Sequence, residues 1–192
     1  MDAEIRELSD RILSAGRAHD RSEPDHDRRY RNLDRESARL LNILARRAGR
    51  VLEIGTSNGY STIWLADALE PHARMVSVDN DAARHAEAAG NLAAAGLAER
   101  VDLVLGDGAD VLAATAPASV DLLLLDADRA AYVSYWPDLR RVLRPGGLLV
   151  VDNCTSHAAE VAEFRRLVET APGVDSVLVP LGAGLLFIST ST

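Results

Sequence analysis

The chain of 192 residues is long enough for one domain with a sizeable core and too short for two large domains. Hydrophobic residues make up 47% and charged residues 26%, as in ordinary soluble proteins, and no apolar run approaches the roughly 18 residues of a membrane span. The net charge of −8 disfavours a broad nucleic-acid-binding surface, and the single cysteine, Cys154, excludes an intrachain disulfide. The charged N-terminus also lacks the apolar core of a signal peptide, so we expect a cytoplasmic protein.

Two helices are predicted before the first strand. Apolar residues recur at helical spacing over residues 4–14, and the polar stretch 16–31 is expected to form a surface loop. Asp34 is a candidate N-cap for a second helix through Arg47, which Gly49 would close. Neither helix carries a chemical motif by itself.

From residue 51 onward, short apolar strands alternate with helices. The predicted strands are 51–54, 75–78, 101–105, 120–125 and 148–151, and the predicted helices are 60–69, 82–95, 110–114 and 130–143. This alternation implies βαβ units and a parallel sheet. A helix at 157–170 follows, and two consecutive strands, 174–179 and 185–190, must pair antiparallel because their connection is short. The sequence therefore predicts an α/β fold with a mostly parallel seven-stranded sheet, a C-terminal antiparallel hairpin and helices on both faces.

A glycine turn follows the first of these strands. In Val51-Leu-Glu-Ile-Gly-Thr-Ser-Asn-Gly-Tyr-Ser61 the acid Glu53 precedes two glycines, Gly55 and Gly59, that are four residues apart. This E-x-G-x-x-x-G pattern differs from the G-x-G-x-x-G turn of dinucleotide-binding proteins. Glycines let the backbone approach a ligand closely, and the helix that begins at Tyr60 offers free N–H groups. The alternative is an ordinary strand-to-helix turn.

Polar residues or glycines follow every predicted parallel strand, at the edge where open α/β sheets bind ligands. Asp79 comes after the second strand, about twenty residues beyond the glycine turn, where an acid accepts hydrogen bonds from both hydroxyls of a ribose. Its alternative role is to cap the next helix, which Asn80 or Asp81 could also do. Asp107 and Gly108 would lie beside an adenine.

Three oxygen-bearing side chains end the fourth and fifth strands: Asp126, Asp152 and Asn153. Two carboxylates and an amide supply the hard oxygen ligands of a partly hydrated Mg²⁺, whereas without a cation the carboxylates would repel each other. The alternative is that Asp152 and Asn153 only cap a turn. The presence of Asp126 on a neighbouring strand favours the metal site.

Together these segments resemble the cation-dependent O-methyltransferases, a class I S-adenosylmethionine-dependent family that includes the catechol and caffeoyl-CoA O-methyltransferases. The resemblance rests on residues 51–61, Asp126-Ala-Asp-Arg-x-x-Tyr132, Arg144-Pro-Gly-Gly147 and Asp152-Asn153. It implies a Rossmann-like methyltransferase domain over residues 35–192. Residues 1–34 would then form an N-terminal helix and loop that covers the acceptor pocket or makes an interface.

The resemblance also implies cofactors, partners and roles for residues. S-adenosylmethionine would be bound by Glu53, Gly55, Thr56, Ser57, Gly59, Tyr60, Ser61, Asp79, Asn80, Gly106, Asp107, Gly108 and Asp126. Mg²⁺ or another divalent cation would be bound by Asp126, Asp152 and Asn153, orienting a hydroxyl of a small catechol-like or phenolic acceptor and lowering its pKa. A homodimer is a possible assembly, and a nucleic acid or membrane partner is not expected.

Asp126 and Arg129 are the candidate catalytic residues. Arg129 stands where the family's D-x-x-K motif has lysine, and because the chain contains no lysine, no lysine can be the general base. An arginine with a pKa above about 12 does not take up a proton at neutral pH, so Arg129 would stabilise the oxyanion instead. The proton would pass to solvent, Asp128 or His157.

Other functions fit parts of the same sequence. O-methylation of a hydroxylated tRNA base predicts a basic surface around the pocket. A protein that binds S-adenosylmethionine with little catalysis is suggested by Arg129.

The short segment between Asp152 and the final helix leaves the acceptor pocket open, or completed by the N-terminal segment or by another chain.

Overall fold

A mixed β-sheet forms the centre of the computed structural model, which describes residues 1–25 and 28–191. Its strands are β1 Arg50–Ile54, β2 Arg74–Asp79, β3 Val101–Leu105, β4 Val120–Leu125, β5 Leu143–Val151, β6 Val174–Val179 and β7 Leu185–Thr190. Their order across the sheet is β3-β2-β1-β4-β5-β7-β6. Strands β1 to β5 pair in parallel, and β7 pairs antiparallel with both β5 and β6. The predicted seven-stranded sheet with a C-terminal antiparallel hairpin is confirmed.

Helices cover both faces of the sheet. They are α1 Ala3–Ser22, α2 Arg35–Ala45, α3 Tyr60–Ala68, α4 Ala82–Ala94, α5 Gly108–Ala114, α6 Tyr132–Val142 and α7 Ala162–Glu169. Alternate residues of β4 divide between two cores, with Leu122 and Leu124 facing α1 to α4, and Leu123 and Leu125 facing α5 to α7. A strand buried on both faces has to be apolar throughout, which explains the run of four leucines.

The N-terminal helix is longer than the sequence indicated. Residues 16–22, predicted as the start of a loop, continue α1 without a break, and residues 26 and 27 of that predicted loop lie outside the described part of the chain. Gly16 marks a close contact within the helix and not its end, since a Cβ at this position would lie 2.5 Å from the side-chain amide nitrogen of Asn32. The loop prediction for residues 16–22 was wrong.

Two boundaries in the second half also differ. Strand β5 begins at Leu143, before the Pro145-Gly-Gly147 turn that was expected to precede it, because Leu143 already pairs with Val120 of β4 across an irregular register. Helix α7 begins at Ala162, since residues 154–161 form successive turns instead of the predicted start of a helix. Within the described residues, no helix is both long enough and apolar enough to cross a membrane.

The strand order places the functional edge of the sheet. Chain progression reverses at β1, which pairs with β2 on one side and with β4 on the other. In open α/β sheets, ligands bind in the crevice beyond the carboxyl ends of the strands at such a switch point. The residues that follow β1 to β5 therefore lie at the edge where a ligand is expected.

Candidate active site

A cavity of about 650 Å³ lies beyond the carboxyl ends of β1 to β4 and reaches Asn153 after β5. This volume is in the usual range for a small-molecule site. Of the predicted cofactor-binding and catalytic residues, those in its wall are Gly55, Ser57, Asp79, Asn80, Gly106, Asp107, Gly108, Asp126 and Arg129. The topology therefore brings the ends of distant sequence segments to one place.

The glycine turn after β1 is shaped by close packing against β4. Gly55 has φ of 105°, and a Cβ there would lie 1.9 Å from the carbonyl oxygen of Asp126. Ser57 also has a positive φ, of 50°, and its backbone N–H donates to Asp79 Oδ2 at 2.7 Å. Gly59, with φ of 82°, caps α3 and lies against Ala88 of α4. The turn thus holds the ends of three strands at fixed spacing.

Glu53 lies beneath the turn and not in the cavity wall. Its carboxylate is fully buried and accepts hydrogen bonds, each of 2.6 Å, from the hydroxyls of Ser61, Thr62 and Ser77. Burial raises the pKa of Glu53 to about 7, although the three hydrogen bonds oppose the shift. The residue joins β1 to α3 and β2, which is a structural role.

Four other predicted cofactor residues lie outside the wall with Glu53. These are Thr56, Gly59, Tyr60 and Ser61. Thr56 bonds Ser77 through its hydroxyl at 2.6 Å, Ser61 bonds Glu53, and Tyr60 packs edge-on against Trp64 in the core. Their side chains therefore support the turn, while Gly55 and Ser57 form the surface that a ligand would meet.

Asp79 lies in the cavity wall and does not cap the next helix. Its two carboxylate oxygens accept the backbone N–H groups of Ser57 and Asp81, at 2.7 and 2.9 Å. The N-cap of α4 is Asp81, which accepts from the N–H groups of Ala83 and Arg84. Each carboxylate oxygen has two lone pairs, so Asp79 can still accept from a ligand hydroxyl.

The β3 end of the cavity combines an acid with an aromatic ring. Asp107 caps α5 through a 2.8 Å bond from the N–H of Ala109. The Tyr135 hydroxyl donates to the same carboxylate oxygen at 3.3 Å. A Cβ at Gly108 would lie 2.6 Å from Ile54, so this turn also needs glycine.

Asp126, Asp152 and Asn153 form a cluster at the β4–β5 end. The side-chain nitrogen of Asn153, whose φ is 65°, donates to Asp126 Oδ1 and to Asp152 Oδ2, both at 3.0 Å. Asp152 Oδ1 is buried and has no hydrogen-bond partner. Burial raises the pKa of both carboxyls, and the charge of Asp126 raises that of Asp152 further.

The donor set of this cluster fits a hard divalent cation. A buried carboxylate oxygen without a partner is costly, and a cation would satisfy it while removing the repulsion between the acids. Turning the terminal amide of Asn153 would present its oxygen in place of its nitrogen. Among the described residues, no three His, Cys, Asp or Glu side chains are grouped as metal ligands, so a site here depends on Asn153 as the third ligand.

Arg129 borders the same end of the cavity. Its side chain is 13% exposed, and its Nε donates to Glu160, in the turns before α7, at 2.7 Å. The charge of Arg129 lowers the pKa of Asp126, and so does the charge of Arg31. Two guanidinium groups therefore act on the acid that ends β4.

A family model described as a methyltransferase domain matches residues 52–154, which span the glycine turn, the strand ends and the acidic cluster. The chain belongs to the methyltransferase domain family. It is 38% identical over 144 residues to a catechol O-methyltransferase of Mycobacterium tuberculosis, an alignment covering 69% of this chain and 65% of the relative. It is 36% identical over 120 residues to a catechol O-methyltransferase of Niastella koreensis, covering 60% and 54%. The chain thus spans just under two thirds and just over half of these relatives.

The fold of this methyltransferase domain matches solved O-methyltransferases over its whole length. The structure of TomG from Streptomyces achromogenes, an O-methyltransferase of tomaymycin synthesis in complex with S-adenosylmethionine, superposes with a TM-score of 0.80. The two sequences are 28% identical, and the match covers 100% of this chain and 91% of TomG. The resemblance to class I O-methyltransferases, expected from the sequence motifs, is confirmed.

The cavity of the methyltransferase domain carries an excess of negative charge. Its described wall contains five carboxylates, on Asp79, Asp107, Asp126, Asp128 and Glu160, and three guanidinium groups, on Arg31, Arg84 and Arg129. The difference is two negative charges, which one divalent cation would offset.

Some residues of the wall were not expected from the sequence. They are Tyr30, Arg31, Ile54, Val78, Arg84, Ala127, Ala131, Tyr135 and Glu160. Tyr30 and Arg31 belong to the predicted surface loop, and Glu160 to the predicted start of the last helix. The short segment after Asp152 was a signal that other parts of the chain complete the pocket.

The candidate bases occupy different positions. Asp128 lies in the cavity wall, and its Oδ1 accepts the N–H of Ala130 at 3.1 Å. His157 is not part of the wall, and its Nδ1 lies 2.8 Å from the Ser156 hydroxyl. Geometry therefore favours Asp128 over His157 as a proton acceptor within the cavity.

Proposed function

We propose that the protein transfers the methyl group of S-adenosylmethionine to a hydroxyl oxygen of a small catechol-like or phenolic acceptor, with the help of a divalent cation. The observation that carries this proposal is the cluster of Asp126, Asp152 and Asn153 at the end of a cavity that begins at the glycine turn. The relatives named as catechol O-methyltransferases support the same chemistry.

S-adenosylmethionine is the proposed cofactor because the cavity presents groups suited to each part of it. The glycine turn at Gly55 and Ser57 offers a close backbone surface for the methionine part. Asp79 is placed to accept the ribose hydroxyls, and Asp107, beside Gly108, to accept from the adenine amino group. These groups follow β1, β2 and β3, so a cofactor held by them would leave the β4–β5 end of the cavity for the acceptor.

Asp126, Asp152 and Asn153 would bind the cation, with Mg²⁺ as the first choice for an all-oxygen set. When bound, the cation supplies Lewis acidity that orients a hydroxyl and lowers its pKa. Asp126 ends the strand that contacts the glycine turn, since its carbonyl is the atom that excludes a side chain at Gly55. The backbone contact between Gly55 and Asp126 would thereby fix the distance between the proposed cofactor site and the proposed cation site.

Arg129 would stabilise the negative charge that develops on the acceptor oxygen. It remains a cation at neutral pH and therefore acts by electrostatics, not as a base. Glu160 holds the guanidinium through its 2.7 Å bond to Nε, which leaves the terminal N–H groups for other contacts. The hydroxyl proton would pass to solvent or to Asp128.

The N-terminal segment would complete the acceptor side of the cavity. Tyr30 and Arg31 lie in the cavity wall, which supports the cover hypothesis for residues 1–34 over an interface role. The homodimer and the cytoplasmic location remain predictions from the sequence.

The two other candidate functions have less support. A hydroxylated tRNA base would be attached to a polyanion, and the excess of carboxylates in the cavity wall opposes such a ligand. A protein that only binds the cofactor would not need the buried pair of Asp126 and Asp152, which is costly to maintain.

The direct test is a methyl-transfer assay with S-adenosylmethionine and catechol, with product detected by mass spectrometry. We expect methylation that stops with EDTA and returns with excess Mg²⁺, and slower transfer to phenol, which has one hydroxyl and cannot chelate. Transfer that is insensitive to EDTA would remove the cation from the proposal. Cofactor binding without transfer to any phenolic compound would favour the binding protein.

A further inference from the structure

The part of the glycine turn that lines the cavity uses its own hydrogen-bond donors within the protein. The N–H of Gly55 donates to the carbonyl of Val78 at 2.9 Å, and the N–H of Ser57 donates to Asp79 Oδ2 at 2.7 Å. The hydroxyl of Ser57 donates to the carbonyl of Tyr30 at 3.2 Å. An anionic group that lies against this turn therefore needs a donor from another part of the chain.

The start of helix α3 does not supply that donor. A helix N-terminus is a frequent anion site, but the first residues of α3, Tyr60, Ser61 and Thr62, are buried and lie outside the cavity wall. Under the proposed function, the carboxylate of the methionine part of S-adenosylmethionine is the anion that comes to this end of the cavity. Its partner is therefore expected among the charged side chains of the wall.

The described wall contains three guanidinium groups, and they differ in how they are used. Arg129 is bound to Glu160 at the β4–β5 end, and Arg84 donates to the carbonyl of Arg29 at 3.0 Å. Arg31 is exposed, and among the described residues its guanidinium has no ion pair and no hydrogen bond. Its charge and its five N–H donors are therefore available to a ligand.

The backbone on both sides of Arg31 rests on the glycine turn. The residue before it, Tyr30, accepts the hydrogen bond from the Ser57 hydroxyl. The residue after it, Asn32, meets the next residue of the turn, Asn58, because both side-chain nitrogens lie within 3.5 Å of the Cβ position of the glycine in α1. Arg31 thus enters the cavity wall from the side of the glycine turn.

The conformation at this contact is imposed by the surrounding structure. Asp20, near the end of α1, accepts the N–H groups of both Tyr30 and Arg31, at 2.8 and 2.9 Å. Arg31 has φ of 51°, and Ser57 on the other side of the contact has φ of 50°. Such conformations cost energy in residues other than glycine and persist where the structure fixes them. The segment that is proposed to complete the acceptor side therefore also covers the glycine turn.

We propose that Arg31 binds the carboxylate of the methionine part of S-adenosylmethionine and so selects cofactors that carry this group. This inference rests on the proposed function. A guanidinium and a carboxylate pair through two parallel N–H···O bonds. Ser57 connects this arginine to the ribose site, since its N–H is bonded to Asp79 and its hydroxyl to Tyr30. The two partners of the cofactor are therefore held by one residue of the turn, on either side of the sulfur that carries the methyl group.

The experiment uses two ligands that differ only in the carboxylate. They are S-adenosylhomocysteine and its decarboxylated form, S-adenosyl-3-thiopropylamine, and their Kd values are measured by calorimetry in wild type, Arg31→Gln and Arg31→Lys. An acidic acceptor is another source of a carboxylate, and its absence from the titration excludes it as the cause of any loss.

We expect Arg31→Gln to weaken S-adenosylhomocysteine by about ten- to one-hundred-fold, as for a hydrogen-bonded charge pair, and to leave the decarboxylated ligand nearly unchanged. Arg31→Lys should fall between, since it keeps the charge and loses the planar fork. Arg28→Gln is the matched control, because Arg28 is an exposed arginine of the same segment that lies outside the cavity wall. It should bind both ligands as wild type does.

Equal losses for the two ligands in Arg31→Gln would show a structural role and overturn the inference, and so would no loss for either. A selective loss in Arg84→Gln and none in Arg31→Gln would assign the carboxylate to Arg84 and overturn it as well. If wild type does not bind S-adenosylhomocysteine, the cofactor assignment and this inference fail together. A selective loss in Arg31→Gln in a protein that methylates no phenolic compound would support the inference and remove only the proposed reaction.

Discussion

The two ends of the cavity satisfy their buried acids in opposite ways. At the β1–β2 end, Glu53 accepts three hydroxyl hydrogen bonds and Asp79 accepts two backbone N–H groups. At the β4–β5 end, Asp126 and Asp152 share the single amide of Asn153, and Asp152 Oδ1 has no partner. The acids of the first end are hydrogen-bonded within the protein, whereas the second end leaves a buried carboxylate oxygen that the proposed cation would satisfy.

This difference distinguishes acids that stabilise the fold from acids that are candidates for binding a ligand. Buried polar groups that are fully hydrogen-bonded make a rigid framework, and groups that are only partly satisfied need an explanation outside the chain. The acids of the β1–β2 end therefore hold the glycine turn in shape without a ligand. The acids of the β4–β5 end repel each other, and the proposed cation would relieve this repulsion.

The largest expected effect comes from Gly55→Ala, which forces apart the two ends of the cavity. A Cβ there would lie 1.9 Å from the Asp126 carbonyl, at φ of 105°. We expect the free energy of unfolding to fall by about 3 kcal/mol, with loss of cofactor binding. Urea unfolding and calorimetry with S-adenosylhomocysteine measure both.

Gly90→Ala is the control for that substitution. Gly90 lies within α4 with nothing near its Cβ position, so alanine should stabilise the protein by about 0.5–1 kcal/mol. Wild-type stability and cofactor affinity in Gly55→Ala would show that the close approach of β1 and β4 is not required.

The buried acid beneath the glycine turn, Glu53, leads us to predict that stability depends on pH. The pKa of Glu53 is about 7 in the folded protein and 4.5 as its unperturbed value. As pH rises from 4.5 to 7 the unfolded chain ionises first, so Glu53 destabilises the fold by a growing amount that reaches about 3 kcal/mol above pH 7. Glu53→Gln removes this ionisation and keeps a side chain that the three hydroxyls can bond.

We therefore expect the stability of Glu53→Gln, relative to wild type, to improve by about 2–3 kcal/mol between about pH 5 and pH 8. Urea unfolding in EDTA at both pH values measures this difference. The contribution of the other acids cancels because wild type and the variant share them. The exposed variant Glu70→Gln serves as the control. A difference between Glu53→Gln and wild type that does not change with pH would mean that Glu53 is ionised throughout.

At the incomplete end, Arg129→Gln should lower kcat by about ten- to one-hundred-fold, because a fixed cation beside the acceptor oxygen is lost. The KM for S-adenosylmethionine should change little. Glu160→Gln should give a smaller loss, since Arg129 keeps its charge and loses its 2.7 Å anchor. Steady-state kinetics at saturating acceptor test this, and an unchanged kcat in Arg129→Gln would contradict the electrostatic role.

The smallest expected effect concerns two tyrosines of the cavity wall, Tyr30 and Tyr135. Tyr30→Phe removes the 2.6 Å hydrogen bond to Glu87 and should cost about 1 kcal/mol of stability. Tyr135→Phe, at the β3 end of the cavity, removes a longer bond of 3.3 Å to Asp107 and should cost less. Thermal unfolding of both variants shows which substitution lowers stability more. A larger loss in Tyr135→Phe would mean that the Tyr30–Glu87 hydrogen bond is the weaker of the two.

Much of the fold follows from short-range patterns in the sequence. The leucine run of β4 and the glycine spacing after β1 predict buried parallel strands and their turns, and the close strands β6 and β7 predict the hairpin. The strand-end rule also indicated which residues would meet: Asp79, Asp107 and Asp126 are distant in sequence and share one cavity.

The rest depends on contacts that no local pattern encodes. Glu53 was expected to touch the cofactor, but hydroxyls from α3 and β2 enclose it. Arg31 enters the cavity wall because Asp20, on an extension of α1 that was predicted as loop, fixes its backbone. Glu160 approaches Arg129 because residues 154–161 turn where a helix was expected. Such pairings arise only once the sheet has brought the segments together.

The central claim is that the β4–β5 end binds a divalent cation, and calorimetric titration of Mg²⁺ into protein saturated with S-adenosylmethionine tests it most directly. We predict binding in wild type, no binding in Asp152→Ala, and retained binding in Asp128→Ala, whose acid lies in the same wall outside the cluster. Absence of binding in wild type would contradict the claim and reduce Asp126, Asp152 and Asn153 to structural or cofactor-contacting residues.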